Sequence, residues 1–361
     1  MRRRRLFDIQ IDKFSFNTVP FSCHLDLTYK CNLNCVHCYI MEEKRPQLKT
    51  EEIKNILEQL SEEGTLFLQL SGGEILTRKD FFEIAEYARD LNFALLLTTN
   101  GTLIDAEIAD KIAELNPHKI SISIYSTDPE IHDSITKVPG SLEKSIRAVK
   151  LLKERNMRVK ISNILMHQNI KDYPLVFELA ESLSADFGAD FNVTPKINGD
   201  SYPIKFQVGT EDLYEIMIDP LLKPKSEEES TFNSANEDFP PEFEEFIEDI
   251  PCNAAHSFFY ISPYGDVFPC VQFPVSCGNL KEKSFRWIWN RSKEMLKVRN
   301  IRMSKIQDCS MCENLKYCNF CPGLAYMEAG NMENPYPRAC HEAEIRVKIN
   351  KMGEKTMNFK N

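Results

Sequence analysis

The sequence predicts an α/β fold followed by a smaller, cysteine-rich α+β module. Three observations carry this. From residue 21 to about 196, apolar β-rich runs alternate with amphipathic helical patterns. Two of those runs, one with Leu66, Phe67, Leu68 and Leu70 and the other Ala94–Leu97, read as apolar on both faces, as expected of strands buried under helices in a parallel sheet. The twelve cysteines fall in two groups with none between positions 39 and 251, which separates two modules. Six strands alternating with helices describe either a doubly wound sheet or a partial (β/α) barrel, and in both a ligand sits at the carboxyl ends of the strands.

The expected strands are Ser22–Leu27, Leu66–Leu70, Phe93–Thr98, Lys119–Ile124, Arg158–Leu165 and Phe191–Pro195. The helices expected between them are Thr50–Glu63, Lys79–Leu91, Asp105–Leu115, Ser141–Arg155 and Lys171–Ser184, with Ser141 as an N-cap after the break at Pro139-Gly140. Residues 197–250 change character. Segment 226–249 holds ten acidic residues and no Lys or Arg, interleaved with Phe232, Phe239, Phe243 and Phe246. It reads as a solvated linker whose Phe side chains tuck onto the core, or as a mobile lid or docking surface. Beyond 251 the text is turn-rich: Ser262-Pro-Tyr-Gly-Asp266 predicts a hairpin, and Phe285-Arg-Trp-Ile-Trp289 opens an amphipathic helix. The expected division is an N-terminal extension (1–20), a barrel (21–200), an acidic bridging segment (201–250), the cysteine-rich domain (251–345) and a tail (346–361).

Composition excludes several classes. Lys and Arg number 44 against 54 Asp and Glu, a net charge of −10, which argues against nucleic-acid binding. No apolar run approaches the roughly 20 residues needed to cross a bilayer. The Arg2–Arg5 run has no hydrophobic segment behind it, so the expected location is the cytoplasm, where clustered cysteines serve metals or redox chemistry.

Cys31, Cys35 and Cys38 follow the first strand directly. A four-iron cube is usually held by four thiolates, so three leave one iron open to a ligand; a structural zinc ion would want a fourth. At the end of the second strand stand Gly72, Gly73 and Glu74, two glycines that let backbone approach a ligand and a carboxylate able to pair with an ammonium group. Asn100 and Gly101 end the third strand, and Ser123 lies near the end of the fourth.

These residues resemble the radical S-adenosylmethionine superfamily over about 21–196. The resemblance implies a partial (β/α)6 barrel and a [4Fe–4S] cluster on Cys31, Cys35 and Cys38. The open iron of that cluster would bind S-adenosylmethionine, which on reduction yields a 5′-deoxyadenosyl radical that abstracts hydrogen. Carried over by motif, Gly72, Gly73 and Glu74 would hold the methionine ammonium. His37 and Tyr39 would lie at the adenine, Ser123 and Asn163 at the ribose or carboxylate, and Asn100 would complete the set. One departure is Ile75, where many relatives have Pro.

Cys309, Cys312, Cys318 and Cys321 form a dense run, with Cys252, Cys270 and Cys277 upstream and Cys340 downstream. Two CxxC pairs suit zinc, but eight cysteines also make two sets of four. The arrangement resembles the SPASM extension, over about 251–345, which implies two auxiliary [4Fe–4S] clusters and three clusters in all. By analogy Cys252, Cys270 and Cys321 hold the first, with Cys277 as its expected fourth ligand, and Cys309, Cys312, Cys318 and Cys340 hold the second. The family implies oxidative modification of a peptide, first of all crosslinking within a ribosomally made precursor. Alternatives are formylglycine formation in a sulfatase, tetrapyrrole side-chain modification, or a non-catalytic zinc or electron-transfer module. An electron donor such as flavodoxin or ferredoxin, and a separate peptide-recognition protein, are expected partners. No acid or base is assigned; Tyr125, His167 and Lys196 fall near strand ends.

Overall fold

The computed structural model describes residues 6–222, 245–246 and 249–358. A helix, α1 (Leu6–Phe16), precedes the sheet. Strands β1 (Ser22–Thr28), β2 (Phe67–Gly72), β3 (Ala94–Thr99), β4 (Lys119–Ser123), β5 (Val159–Ile164) and β6 (Asp186–Asp190) then alternate with helices α2 (Thr50–Glu62), α3 (Phe81–Asp90), α4 (Ala106–Leu115), α5 (Pro129–Thr136), α6 (Ser141–Glu154) and α7 (Tyr173–Ser182). The six strands are parallel and lie in the order of the chain. A doubly wound sheet reverses its order at a switch point. An unreversed order with right-handed crossovers places every helix on one face, which is the partial (β/α)6 barrel.

Period-two alternation sorts the two faces. Leu68, Leu70, Leu95, Leu97, Ile120, Ile122 and Ile161 are buried. Helix residues spaced three and four apart are buried as well: Ile53, Ile56, Leu57 and Leu60 of α2, and Phe81, Ile84, Ala85 and Ala88 of α3. The other face carries Gln69, Thr98, Ser123 and Ser162 and lines a cavity. The strands expected to be apolar on both faces therefore have a cavity side.

Three local expectations are corrected. The last barrel strand is Asp186–Asp190 rather than Phe191–Pro195. Its polar ends hide it, and pairing with β5, with Gly188 under the Lys160 stem, makes it a strand. Gly140, not Ser141, caps α6, with φ +75°. Asp133 supplies the missing acceptor, taking the N–H groups of Gly140 and Ser141 at 2.6 and 3.1 Å. The stretch 346–361, read as a tail, is helical to Asn358 within Pro337–Asn358, where Ile345 and Ile349 pack on Leu213 and Ile216 of α8 (Thr210–Ile218).

The cysteine-rich region continues the main sheet. Strand β7 (Phe258–Ile261) pairs parallel with β1, and β8 (Asp266–Phe268) and β9 (Gly278–Asn279) follow antiparallel. The expected hairpin joins β7 to β8 with Gly265 at φ +90°, and Phe285–Arg291 is the expected helix, burying Phe285, Ile288 and Trp289. Phe232, Phe239 and Phe243 lie outside the described residues. Phe246 packs against the Phe16 and His256 rings at 5.4 and 5.2 Å.

Candidate active site

At the carboxyl ends of the strands a cavity of about 1000 Å³ is lined by Cys31, Cys35 and Cys38 together with His37, Tyr39, Gly72, Gly73, Asn100, Ser123, Tyr125 and Lys196. The cysteine loop is pinned to its neighbours. Asn34 and Val36 donate their N–H groups to Thr136 and Ile135 of α5, both at 3.0 Å. Gly73 and Glu74 donate theirs to Thr28 and Lys30 at 2.8 and 2.9 Å, which fixes the end of β2 to the start of the loop. Glycine is needed there: a Cβ on Gly72 would stand 2.2 Å from the Thr28 carbonyl oxygen, and one on Gly73 2.3 Å from that of Lys30.

The three thiols stand close enough to act on one another electrostatically. Burial first, then the neighbouring Cys38 and Cys31, push Cys35 up to about 12. Burial likewise pushes Cys38 to about 11, with Cys31 adding to the rise and Lys196 opposing it. Cys31 is raised too, chiefly by burial. Three thiolates crowded out of water need a cationic partner, and metal binding must displace their protons. His37 stands edge-on to the Tyr125 ring at 4.9 Å. Its Nδ1 is buried without a partner, and burial lowers its pKa to about 4, so it meets a ligand as the neutral ring. Tyr39 offers its carbonyl to Ile197 N–H at 3.0 Å.

Glu74 lies behind the cavity wall. Its carboxylate is fully buried and accepts from Thr99 Oγ1 at 2.8 and 2.9 Å, from Asn100 N–H at 2.8 Å and from Leu76 N–H at 3.1 Å. It does not line the cavity; it clamps the end of β2 to the end of β3 and so sets Asn100, whose amide reaches Asn32 at 2.9 Å. Asn163 is also turned away, donating to Ile124 C=O at 3.0 Å. Ser162, one residue earlier and of opposite parity, lines the cavity in its place. His167 lies off the cavity, stacked on Phe206 at 5.9 Å.

Sequence reasoning missed a polar network at the sheet seam. Tyr260 of β7 donates to Asp26 Oδ2 at 2.9 Å and shares a 2.5 Å hydrogen bond with Tyr29. His24 Nε2 lies 2.9 Å from Asp26 Oδ1. His24 and Tyr29 line the cavity, and the polar Ser22-Cys-His-Leu-Asp26 alternation was the available signal.

In the C-terminal region the thiols sort into two sets. Burial first, then neighbouring thiols of the group Cys309, Cys312, Cys318 and Cys340, raise Cys309, Cys318 and Cys340. Cys252, Cys270 and Cys321 form the second set, with burial again the larger cause. Cys277 is not with them. It is buried against Ser292, Glu294 and Arg299, beneath the helical segment that follows β9. Its expected place as a cluster ligand is therefore corrected: the Gly278 turn faces Ile288 and carries the thiol into the hydrophobic core.

Comparison with known proteins agrees with this geometry. A profile of the radical SAM superfamily matches residues 25–180, and one of an iron–sulfur cluster-binding (SPASM) domain matches 252–313. The AdoMet-dependent heme synthase of Methanosarcina barkeri is 30% identical over 331 residues, 86% of this chain and 94% of that one. The chain belongs to the radical SAM superfamily, in its SPASM branch. The mycofactocin maturase MftC of Mycolicibacterium smegmatis is 26% identical over 88% of this chain and 82% of its own. Among solved structures, Streptococcus suis SuiB bound to S-adenosylmethionine superimposes with a TM-score of 0.71 at 21% identity, covering 90% of this chain and 77% of that one, which is a likeness of fold.

As a radical SAM/SPASM enzyme the chain binds a [4Fe–4S] cluster, S-adenosylmethionine and auxiliary iron–sulfur clusters. Its residues fit these groups. Three thiols close enough to act on one another stand on the cavity wall beside an orphaned neutral His37. Among the described residues no three His, Cys, Asp or Glu side chains converge tightly enough for a single metal ion. Thiolates around one zinc stand about 3.8 Å apart, given Zn–S bonds of about 2.3 Å, whereas those around a cube stand further apart. Also among the described residues, no helix is long and apolar enough to cross a membrane.

Proposed function

We propose that the chain oxidises a carboxylate-bearing side chain of a tetrapyrrole, with ten of its twelve cysteines, all but Cys23 and Cys277, serving as cluster ligands. Bound cluster and S-adenosylmethionine supply a 5′-deoxyadenosyl radical. One hydrogen atom would pass from a propionate to that radical, giving 5′-deoxyadenosine, and carbon dioxide would depart with one electron, which an auxiliary cluster can accept, to leave a vinyl group.

The observation that carries this reading is the charge of the cavity wall. Lys30, Lys137 and Lys196 line it against two carboxylates, Glu42 and Asp190, and among the described residues Lys30 and Lys137 have no carboxylate partner. Lys196 is held by Asp200 at 2.7 Å and lies 5.7 Å from the Tyr202 ring, so it is aimed rather than free. Three ammonium groups suit several propionates on one flat substrate. The polar inner faces of β2–β5 supply hydroxyl and amide donors below them. The whole-length match to heme synthases from Methanosarcina barkeri and from Oleidesulfovibrio alaskensis, the latter at 27% identity over 85% of this chain, supports the same substrate class.

A second reading is oxidation or crosslinking of a ribosomal precursor peptide. It is favoured by MftC and by the subtilosin biosynthesis protein AlbA of Bacillus subtilis, 26% identical over 88% and 89% of this chain. Mass spectrometry of reduced, reconstituted enzyme decides between them. Loss of carbon dioxide and two hydrogens per propionate from an iron tetrapyrrole supports the first reading. An untouched tetrapyrrole beside a precursor peptide lighter by two hydrogens replaces it with the second. A flavodoxin or ferredoxin as reductant and a cytoplasmic setting belong to either reading.

A further inference from the structure

Asn100 follows β3 directly, is buried and borders the cavity. Its backbone is fixed on both sides. The N–H donates to Glu74 Oε2 at 2.8 Å, and the carbonyl accepts from Ser145 Oγ at 2.7 Å. Its side-chain oxygen accepts from the Thr102 N–H at 2.9 Å and from Thr102 Oγ1 at 2.6 Å. A backbone N–H can only donate, so this contact identifies the oxygen end of the amide and excludes the flipped orientation. The nitrogen end therefore points the other way, to Asn32 Oδ1 at 2.9 Å and to Cys31 Sγ at 3.9 Å.

Asn32 closes the arrangement by donating from Nδ2 to Thr102 Oγ1 at 2.7 Å. Side-chain bonds thus run from Asn100 to Asn32, on to Thr102 and back to Asn100, all in one sense. An amide nitrogen carries two hydrogens. The ring uses one, and the other is left to the Cys31 sulfur. Cys31 Sγ also accepts the Leu33 N–H at 3.4 Å. Burial raises the Cys31 thiol, and both bonds oppose that rise, so both favour the thiolate.

We propose that Asn100 is a positioning residue for reduction of the [4Fe–4S] cluster: its side-chain N–H, aimed by this ring at the Cys31 thiolate, raises the potential of the cluster and so brings it within range of a one-electron carrier. Reduction passes one electron from the carrier to the cluster, which becomes more negative by one charge. A hydrogen bond to a ligating sulfur stabilises the more negative form more. Asn100 acts only through Cys31, and Glu74 contributes by fixing the Asn100 backbone. The inference rests on the chain's membership of the radical SAM superfamily and holds for a tetrapyrrole or a peptide substrate alike.

The test uses the full chain with all its clusters reconstituted and no substrate added. A redox titration monitored by EPR follows the cluster whose signal changes on adding S-adenosylmethionine. Asn100→Leu removes the N–H and fills its space. It should lower the ratio of reduced to oxidised cluster at a fixed potential by about threefold to tenfold, tenfold being about 59 mV for one electron, and leave the auxiliary clusters unchanged. Ser145→Ala loosens the Asn100 backbone without removing the amide, so it should lower the melting temperature and leave the potential where it is. Three results overturn the proposal: a parental potential in Asn100→Leu, an equal fall in the auxiliary clusters, or an equal fall in Ser145→Ala. Should Asn100→Leu fail to fold or to assemble the cluster, Asn100→Ala titrated in the same way decides by the same criteria.

Discussion

The two cysteine regions are held in place by different means. The Cys31–Cys38 loop hangs between a strand and a helix: Asn34 and Val36 bond to α5, and Gly73 and Glu74 tie β2 to the residues just ahead of it. In the C-terminal run the backbone bonds are those of local turns, Cys312 to Cys309, Leu315 to Cys312 and Cys318 to Leu315, at 3.0 Å each. Long-range support there comes from side chains, such as Arg346 reaching the Tyr317 carbonyl at 3.3 Å. A site preorganised by sheet and helix keeps its shape without metal, whereas one made of short turns draws its order from the metal it holds. The difference matches the tasks: the first site must admit and release a cofactor, and the second must hold clusters permanently.

The largest contrast should follow from removing ligands. Cys31, Cys35 and Cys38 all changed to alanine should lower iron from about twelve to about eight per chain and end 5′-deoxyadenosine formation, leaving the fold intact. The pair Cys309→Ala and Cys312→Ala should remove a similar amount of iron, about four, yet raise amide exchange across 309–340 by at least about tenfold while β1–β5 stay protected. Hydrogen-exchange mass spectrometry reads both. Equal protection of 309–340 in the two variants would contradict the contrast.

Glycines sharpen it next. Gly73→Ala drives a methyl group into the Lys30 and Tyr29 carbonyl oxygens, 2.3 and 2.8 Å away, and should cost about 1–3 kcal/mol. Gly330→Ala in the C-terminal region meets nothing within 4 Å and is opposed only by its φ of +71°, so about 1 kcal/mol is expected. Thermal melts of the two variants should rank in that order.

Glu74→Gln separates two roles for one residue. An ammonium ligand would lose affinity for S-adenosylmethionine with little change in melting. A clamp holding Thr99 and Asn100 should instead lose about 1–3 kcal/mol of stability, because a carboxylate with full hydrogen bonding is replaced by a group that must turn one end away from donors. The melting temperature should therefore fall more than the affinity does.

Much of this was legible in the sequence. The cysteine spacings, the five strands from Ser22 to Leu165 and the two glycines after β2 carry their signal locally, in residue type and period. What was not legible depends on parity or pairing. Asn163 and Ser162 are both polar residues of β5, and only the register of the strand says which one faces the cavity. Strand β6 exists because β5 offers it an edge. Helix α5 went unread although Asp128 ahead of Pro129 is a helix start, with Asp128 accepting from Glu130 N–H at 2.8 Å. Cys277 could not be placed because spacing counts thiols and says nothing of the side of the hairpin on which each one lies.

The smallest effect is expected from pH, through His132. Its Nδ1 accepts the Tyr125 N–H at 3.2 Å, which requires the neutral ring, and burial lowers its pKa to about 4. Neighbouring Asp133 opposes that fall without cancelling it. The unfolded chain takes up this proton near 6.5, before the folded chain does, so the contribution is complete above about 6.5 and is lost as pH falls toward about 4. The shift corresponds to about 3 kcal/mol at most. Glu74, raised by burial, works in the opposite sense at the acid end, so the net curve is shallower than His132 alone would give. His132→Gln keeps an acceptor for Tyr125 but does not titrate, and melting curves between pH 7 and 4.5 should be flatter for it than for the parent. Because Tyr125 stands beside Cys35 on the cavity wall, the parent should also lose affinity for S-adenosylmethionine over this range more steeply than the variant. Parallel curves for the two proteins would place the acid sensitivity elsewhere, with His256, also lowered to about 4 by burial, the next residue to change.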